Sequence, residues 1–202
     1  MIRSAVTPPA FDKSPAAVLR AIAEVLVDHP TAALGDIAER IGIGRSTLHR
    51  LYPTRCALLQ AVAMDAIGEM TEVYAESALH TAFTSQLDVD QSWAVFHRFV
   101  ELMIPMGPRI NFLLRIHELD HDQEIIESID SLDSVLIDAI RRGQERGDLQ
   151  AGQNARWIME ALHAILFIAW EHVHAGRLAK LDAPNLVIDT WMHGSSGVRG
   201  RT

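Results

Sequence analysis

The stretch Leu34–Leu51 reads LGDIAERIGIGRSTLHRL, and its spacing leaves little choice of structure. Two short helices joined steeply through a tight turn need apolar residues where they cross and a small residue at the closest approach. They also need a turn residue that tolerates positive φ. Ile37, Ile41, Ile43, Leu48 and Leu51 supply the first, Ala38 the second and Gly42 the third. All three demands are met at once, so a helix-turn-helix is expected, with helices over about 34–41 and 45–51 and Pro53 ending the second.

Helical periodicity continues on both sides. A helix over about 15–28 has Ser14 as N-cap, Pro15 in its first turn and an apolar stripe of Val18, Leu19, Ile22 and Leu26. Thr54 caps a long helix over about 55–80, which at 1.5 Å per residue spans roughly 40 Å. Further helices are expected over 88–105, 108–119, 123–146, 154–175 and 185–192. Asp122 caps the third of these, and Arg141, Arg142 and Arg146 sit at its negative C-terminal end before Gly147. Strand alternation and hairpin signals are absent. The expected fold is therefore all-α. An N-terminal three-helix helix-turn-helix domain over 14–60 is joined by the long helix to a helical body over 61–193, with a flexible arm over 1–13 and a flexible tail over 194–202.

Charge separates along the same lines. The whole chain carries −8, which argues against a nucleic-acid partner until it is divided. Residues 1–60 hold 7 Lys+Arg and 5 Asp+Glu, whereas residues 61–202 hold 11 and 21. A mildly basic head on an acidic body suits phosphate contact at the head alone. No apolar run approaches the roughly 20 residues of a membrane span, and the N-terminus has no signal-type apolar segment. The single cysteine, Cys56, excludes an intrachain disulfide or a multi-Cys zinc site. A cytoplasmic protein is expected, with no membrane partner.

In a helix-turn-helix the second helix enters the DNA major groove with its N-terminal residues at base edges. Here that helix begins Gly44-Arg45-Ser46-Thr47. Arg45 can fork to guanine, and Ser46 and Thr47 can donate, accept or set a methyl against thymine. His49 and Arg50 lie on its flanks, and Arg55 opens the long helix, where a guanidinium suits phosphate. These residues, in DIAERIGIGRSTLHRLYPTRCALLQAV, resemble the DNA-binding segment of TetR-type bacterial transcriptional regulators, D-I-A-x-x-A-G-V-S-x-x-T-L-Y-x-H-F-x-x-K-x-x-L. Asp36, Ile37, Ala38, Gly42, Thr47, Leu48, Pro53 and Leu58 match as they stand, and Ile43, Tyr52 and Arg55 are conservative replacements. The likeness covers about residues 16–62. Gly44 departs from the usual Ser or Thr, His49 from a Tyr and Leu51 from a frequent His. The resemblance implies a homodimer that reads a near-palindromic double-stranded operator and lies on the nucleoid when bound. It also implies a C-terminal domain whose small-molecule effector changes the spacing of the two heads, most simply in a repressor that the effector releases.

The helix over 154–175 is apolar on almost every side and so must be covered on every side. Its stripe Trp157, Ala161, Ala164, Ile168 and His172, with Trp191 of the last helix, is assigned to the dimer interface. The stripe His163, Phe167 and Trp170 is assigned to a mostly apolar effector pocket, facing Trp93, Phe96, Phe99 and Met103 and close to Phe112 and Arg115. The run His117-Glu118-Leu119-Asp120-His121 has the form H-E-x-x-H of zinc hydrolases, but it lies at a helix end and lacks a third ligand. No GxSxG, P-loop or GxGxxG segment is present. Neither catalysis, metal nor cofactor is expected. Two alternatives stand beside this reading: a helical small-molecule carrier or interaction protein that has lost DNA binding, and, less favoured, a zinc hydrolase built on the H-E-x-x-H run.

Overall fold

The computed structural model describes residues 14–195. Nine α-helices occur among them, and no β-strand: α1 (Pro15–Asp28), α2 (Leu34–Arg40), α3 (Arg45–Leu51), α4 (Arg55–Glu76), α5 (Val89–Met103), α6 (Gly107–Arg115), α7 (Gln123–Arg146), α8 (Ala155–His174) and α9 (Ala183–Ser195). The all-α expectation holds. The arm expected over 1–13 and most of the tail expected over 194–202 lie outside the described residues.

The expected caps close their helices. Ser14, Thr54 and Asp122 each accept from a backbone N–H three residues on, at 3.3, 3.1 and 3.2 Å. Asp88 and Gln91 form a reciprocal capping box at the start of α5. Gly44, by contrast, gives α3 no side-chain cap, and Gly42 takes the turn at φ +73°. The buried face of α1 (Ile22, Leu26), Ile37 and Ala38 of α2, Leu48 of α3 and Leu58, Leu59 and Val62 of α4 form the core of the N-terminal unit.

The long helix stops at Glu76, short of the expected position, because Ala78 takes a left-handed φ of 56°. The chain then makes a 3₁₀ turn over Leu79–Thr81 that buries Leu79, Ala82 and Phe83. The arginines expected to complement the end of α7 fix this loop. Arg142 donates to the carbonyls of His80 and Ala82, both at 3.0 Å, and Arg146 donates to those of Thr84 and Leu87 at 3.0 and 2.9 Å. An exposed arginine would add little to α7 through its dipole alone; here two of them supply donors for loop carbonyls that have left the helical ladder.

Two aromatic groups anchor the body. Phe83, Trp93, Phe96 and Trp191 contact one another at centroid distances of 5.0–5.9 Å, and Tyr74 meets Phe99 edge to face at 5.0 Å. Trp191 is 1% exposed, and its indole N–H donates to the Ile158 carbonyl at 3.0 Å. It therefore turns inward, away from the dimer face to which its periodicity assigned it. Trp93 and Phe96 pack on it and are absent from the lining of the cavity that holds Met103, Phe167 and Trp170.

α1, α4 and α6 meet at a polar junction. Arg20 of α1 donates to Glu69 Oε1 of α4, through Nη2 at 2.5 Å and Nε at 3.0 Å. The other Glu69 oxygen pairs with Arg109 of α6, whose residue is 8% exposed. The first helix of the head is thus bolted to the body through one carboxylate.

Candidate functional site

α3 has one buried residue, Leu48, and a solvent face formed by Arg45, Ser46, Thr47, His49 and Arg50, all exposed. The turn at Gly42 presents this face outward, and α3 is too short to bury more than its Leu48 ridge. Arg45 lies back on α2, 3.3 Å from Glu39. Both side chains are well exposed, so that pair is worth little and does not hold Arg45 from a better partner. Five donors and acceptors in register on one solvent-facing helix form a surface able to read base edges and grip flanking phosphates.

Arg55 has a different place from the one expected. Its guanidinium donates to the carbonyls of Pro30 and Ala32 in the α1–α2 loop and to Glu118 Oε1, at 3.4 Å, in the 3₁₀ turn after α6. This geometry makes it a tie between head and body in place of a free phosphate contact. Arg55→Ala is expected to lower stability by about 1–3 kcal/mol while leaving the salt dependence of DNA binding unchanged. A salt slope reduced by about one unit would restore the phosphate role.

The H-E-x-x-H run is a 3₁₀ turn over His117–Leu119 and not an α-helix, and its Glu118 is taken by Arg55. No group of three or more His, Cys, Asp or Glu side chains suited to a metal occurs among the described residues. Cys56 is exposed.

The residues expected to form one pocket are divided between sites. Met103, Phe167 and Trp170 do line a common cavity, with Ile104, Gly107, Ile110, Asn111 and Leu166. Phe99 is committed to Tyr74, and Phe112 is fully buried without reaching the cavity. Arg115 stands at the rim, 5.8 Å above the Phe167 ring and 3.2 Å from Glu171. Sequence reading missed Asn111 and Glu171. The signal was a single Asn between Ile110 and Phe112 on a short apolar helix: a polar group there needs a partner, and Glu171 provides one at 2.7 Å.

His163 is also absent from that cavity. Its Nε2 is buried without a partner, and burial pulls its pKa down to about 4 from the usual 6.5. The folded chain holds the ring neutral where the unfolded chain takes up a proton. The resulting stability is complete above pH 6.5 and is lost as pH falls through about 4, a span worth about 3 kcal/mol. The half-buried Asp133 and Asp65 carboxyls, both raised chiefly by desolvation, act in the opposite sense. Melting curves from pH 7 to 4 for wild type and His163→Leu isolate the histidine: the variant's loss over that range should be smaller. Parallel curves would assign the acid sensitivity elsewhere.

On α8, Trp157, Ala164, Ile168 and His172 are exposed and Ala161 is half-buried. Trp157 and Ile168 are 64% and 57% exposed, and Leu186 of α9 is 52% exposed. This is an apolar stripe with small residues at its middle, on the outside of the body.

A helix-turn-helix with a solvent-facing second helix, held on an all-α body containing a small internal cavity, defines a DNA-binding regulator. The comparisons agree. The chain is 32% identical over 168 residues to the HTH-type transcriptional repressor LfrR of Mycolicibacterium smegmatis, covering 83% of this chain and 82% of that one. It is 24% identical over 182 residues to the HTH-type transcriptional regulator NfxB of Pseudomonas aeruginosa, covering 89% and 92%. The crystal structure of LfrR, a TetR-like regulator, in complex with proflavine superimposes with a TM-score of 0.69 at 26% identity, over 88% of this chain and 94% of that one. No family model matches the chain. The protein belongs to the TetR-like family of transcriptional regulators. Both relatives are transcriptional regulators, and none of the described helices of this chain is long and apolar enough to cross a membrane.

Proposed function

We propose that this protein is a homodimeric cytoplasmic repressor that leaves an inverted-repeat operator on the nucleoid when a small molecule enters its body. Residues 14–60 read DNA, and residues 61–193 dimerise and bind the effector. The observation that carries the reading is the solvent face of α3, where Arg45, Ser46, Thr47, His49 and Arg50 stand free of the core. The exposed stripe of Trp157, Ala161, Ala164, Ile168 and His172 supports pairing of α8 across a two-fold axis, with Leu186 of α9 beside it. The capture of proflavine by LfrR supports an aromatic effector. Release then follows from reciprocity: an effector that fits only the form with wrongly spaced heads weakens DNA binding by the factor by which DNA weakens effector binding.

Selection from a random duplex pool at near-physiological salt tests the reading, with enrichment of an inverted repeat as the expected result. On the selected site Arg45→Ala should cost about 1–3 kcal/mol and relax preference at one position of each half-site. Failure to enrich any sequence, with affinity vanishing as salt rises, would leave a helical binding protein without a DNA function.

A further inference from the structure

Trp170 occupies the cavity in an unusual way. A Cβ added at Gly107 would overlap the Trp170 ring, so the indole lies directly against a backbone that only glycine can offer. Its ring also stacks on His174, at 5.2 Å and 21°. With the indole seated, the cavity retains about 10 Å³, room for a single water. Beside it the Asn111 side chain is wholly buried and donates its amide N–H to Glu171, while its amide oxygen has no partner. Glu171 lies between Asn111 and Arg115, and Phe167 and Met103 complete the walls.

A buried acceptor without a donor is an unmet demand. A purely apolar ligand would leave it unmet, and an anion would face a carboxylate and an amide oxygen. A planar ring can lie where an indole already lies.

Building on the effector-released reading above, we propose that the ligand is a planar aromatic amine that takes the seat of Trp170 on Gly107, its edge N–H donating to Asn111 Oδ1 beside the Glu171 carboxylate. Trp170 is the plug that this ligand displaces. Its departure breaks the stack on His174, whose Nε2 lies 3.8 Å from Asp28 at the end of α1. Occupancy of the cavity is thereby felt where the head meets α8.

Fluorescence titration of the full-length protein with 3,6-diaminoacridine and with its tetra-N-methyl analogue tests this, because both are planar cations and only the first carries amino N–H groups. The diaminoacridine should bind about tenfold more tightly. Asn111→Leu should remove about that factor for the diaminoacridine and leave the analogue unaffected, whereas Glu171→Gln, which takes a negative charge from beside either cation, should weaken both dyes. Trp170→Ala should tighten binding of both dyes, since the seat is already vacant. Helical circular dichroism checks that each variant folds. Equal affinities for the two dyes, or indifference to both polar substitutions, would overturn the inference. So would absence of dye binding even in Trp170→Ala; with inverted-repeat selection intact, that result removes the ligand class and spares the regulator, whereas loss of duplex selection removes the regulator itself.

Discussion

Trp191→Ala should destabilise the protein by about 3–5 kcal/mol, the cost of emptying a buried aromatic site. The indole is 1% exposed, lies 5.0 Å from Phe96 and 5.8 Å from Trp93, and donates to the Ile158 carbonyl. Removing it leaves a void between α5, α8 and α9 and takes away a second donor to a carbonyl that α8 already pairs, so the loss is chiefly one of packing. For a chain of this size the melting temperature should fall by roughly 6–20 °C. Trp191→Phe, which keeps most of the ring contact and loses only the N–H donor, should cost about 1–2 kcal/mol. Melting curves at fixed protein concentration provide the measurement, since the proposed dimerisation would make the midpoint depend on concentration. A variant that melts with wild type but elutes as a smaller species would return Trp191 to the subunit interface.

Glu69→Ala should be comparably severe, for an electrostatic reason. Glu69 is the common partner of Arg20 and Arg109. The Arg20 side chain is 56% exposed, so its half of the arrangement contributes little. Arg109 is buried, with its pKa lowered first by desolvation and then by the nearby Arg20 charge. Without Glu69 that guanidinium stays in the interior beside Arg20, with only the more distant Asp65 and Glu24 to offset it. The loss should therefore approach the roughly 3–5 kcal/mol of breaking a buried pair from one side. The combined variant Glu69→Ala with Arg109→Met should recover most of the loss, because it removes the stranded charge as well as its partner. Additive losses in the double variant would mean that the two residues act separately. The same cycle, read out as duplex affinity, reports whether the bolt between α1 and the body sets the orientation of the head.

Much of this fold was legible from local chemistry. Ser14, Thr54 and Asp122 are caps in the sequence and caps in the structure, because an N-cap depends on residues within one turn of itself. Gly42 and the crossing residues Ile37, Ala38, Ile41 and Leu48 follow from equally local demands, whereas Leu51, expected to join them, is 52% exposed because α3 ends there and turns it away from α2. The end of α4 was not legible: nothing at Ala78 announces a left-handed backbone, and the turn is held by arginines more than sixty residues away in sequence. The face of α9 failed for a related reason. Periodicity places Leu186 and Trp191 on a hydrophobic helix but does not tell the partner subunit's side from the domain's own, and the structure exposes one and buries the other. In the cavity, the aromatic residues were visible by composition, but only Phe167, Trp170 and nearby Met103 converge on it. Convergence on a point in space is a property of helix packing, which one helix's pattern does not contain. Arg55 was misplaced on similar grounds: its position at a helix start suggested phosphate, while the folded chain offers three acceptors closer at hand.

The free face of α3 has a bearing on how such a protein diverges. Arg45, Ser46, Thr47, His49 and Arg50 contribute almost nothing to the core, which takes only Leu48 from that helix. On the proposed reading, operator preference can therefore drift through substitutions that leave folding untouched. The cavity offers no such freedom, since Asn111, Trp170 and Gly107 belong to the packed interior and any change of ligand taste is also a change of stability. Within one lineage, the DNA address should turn over faster than the chemical it answers to.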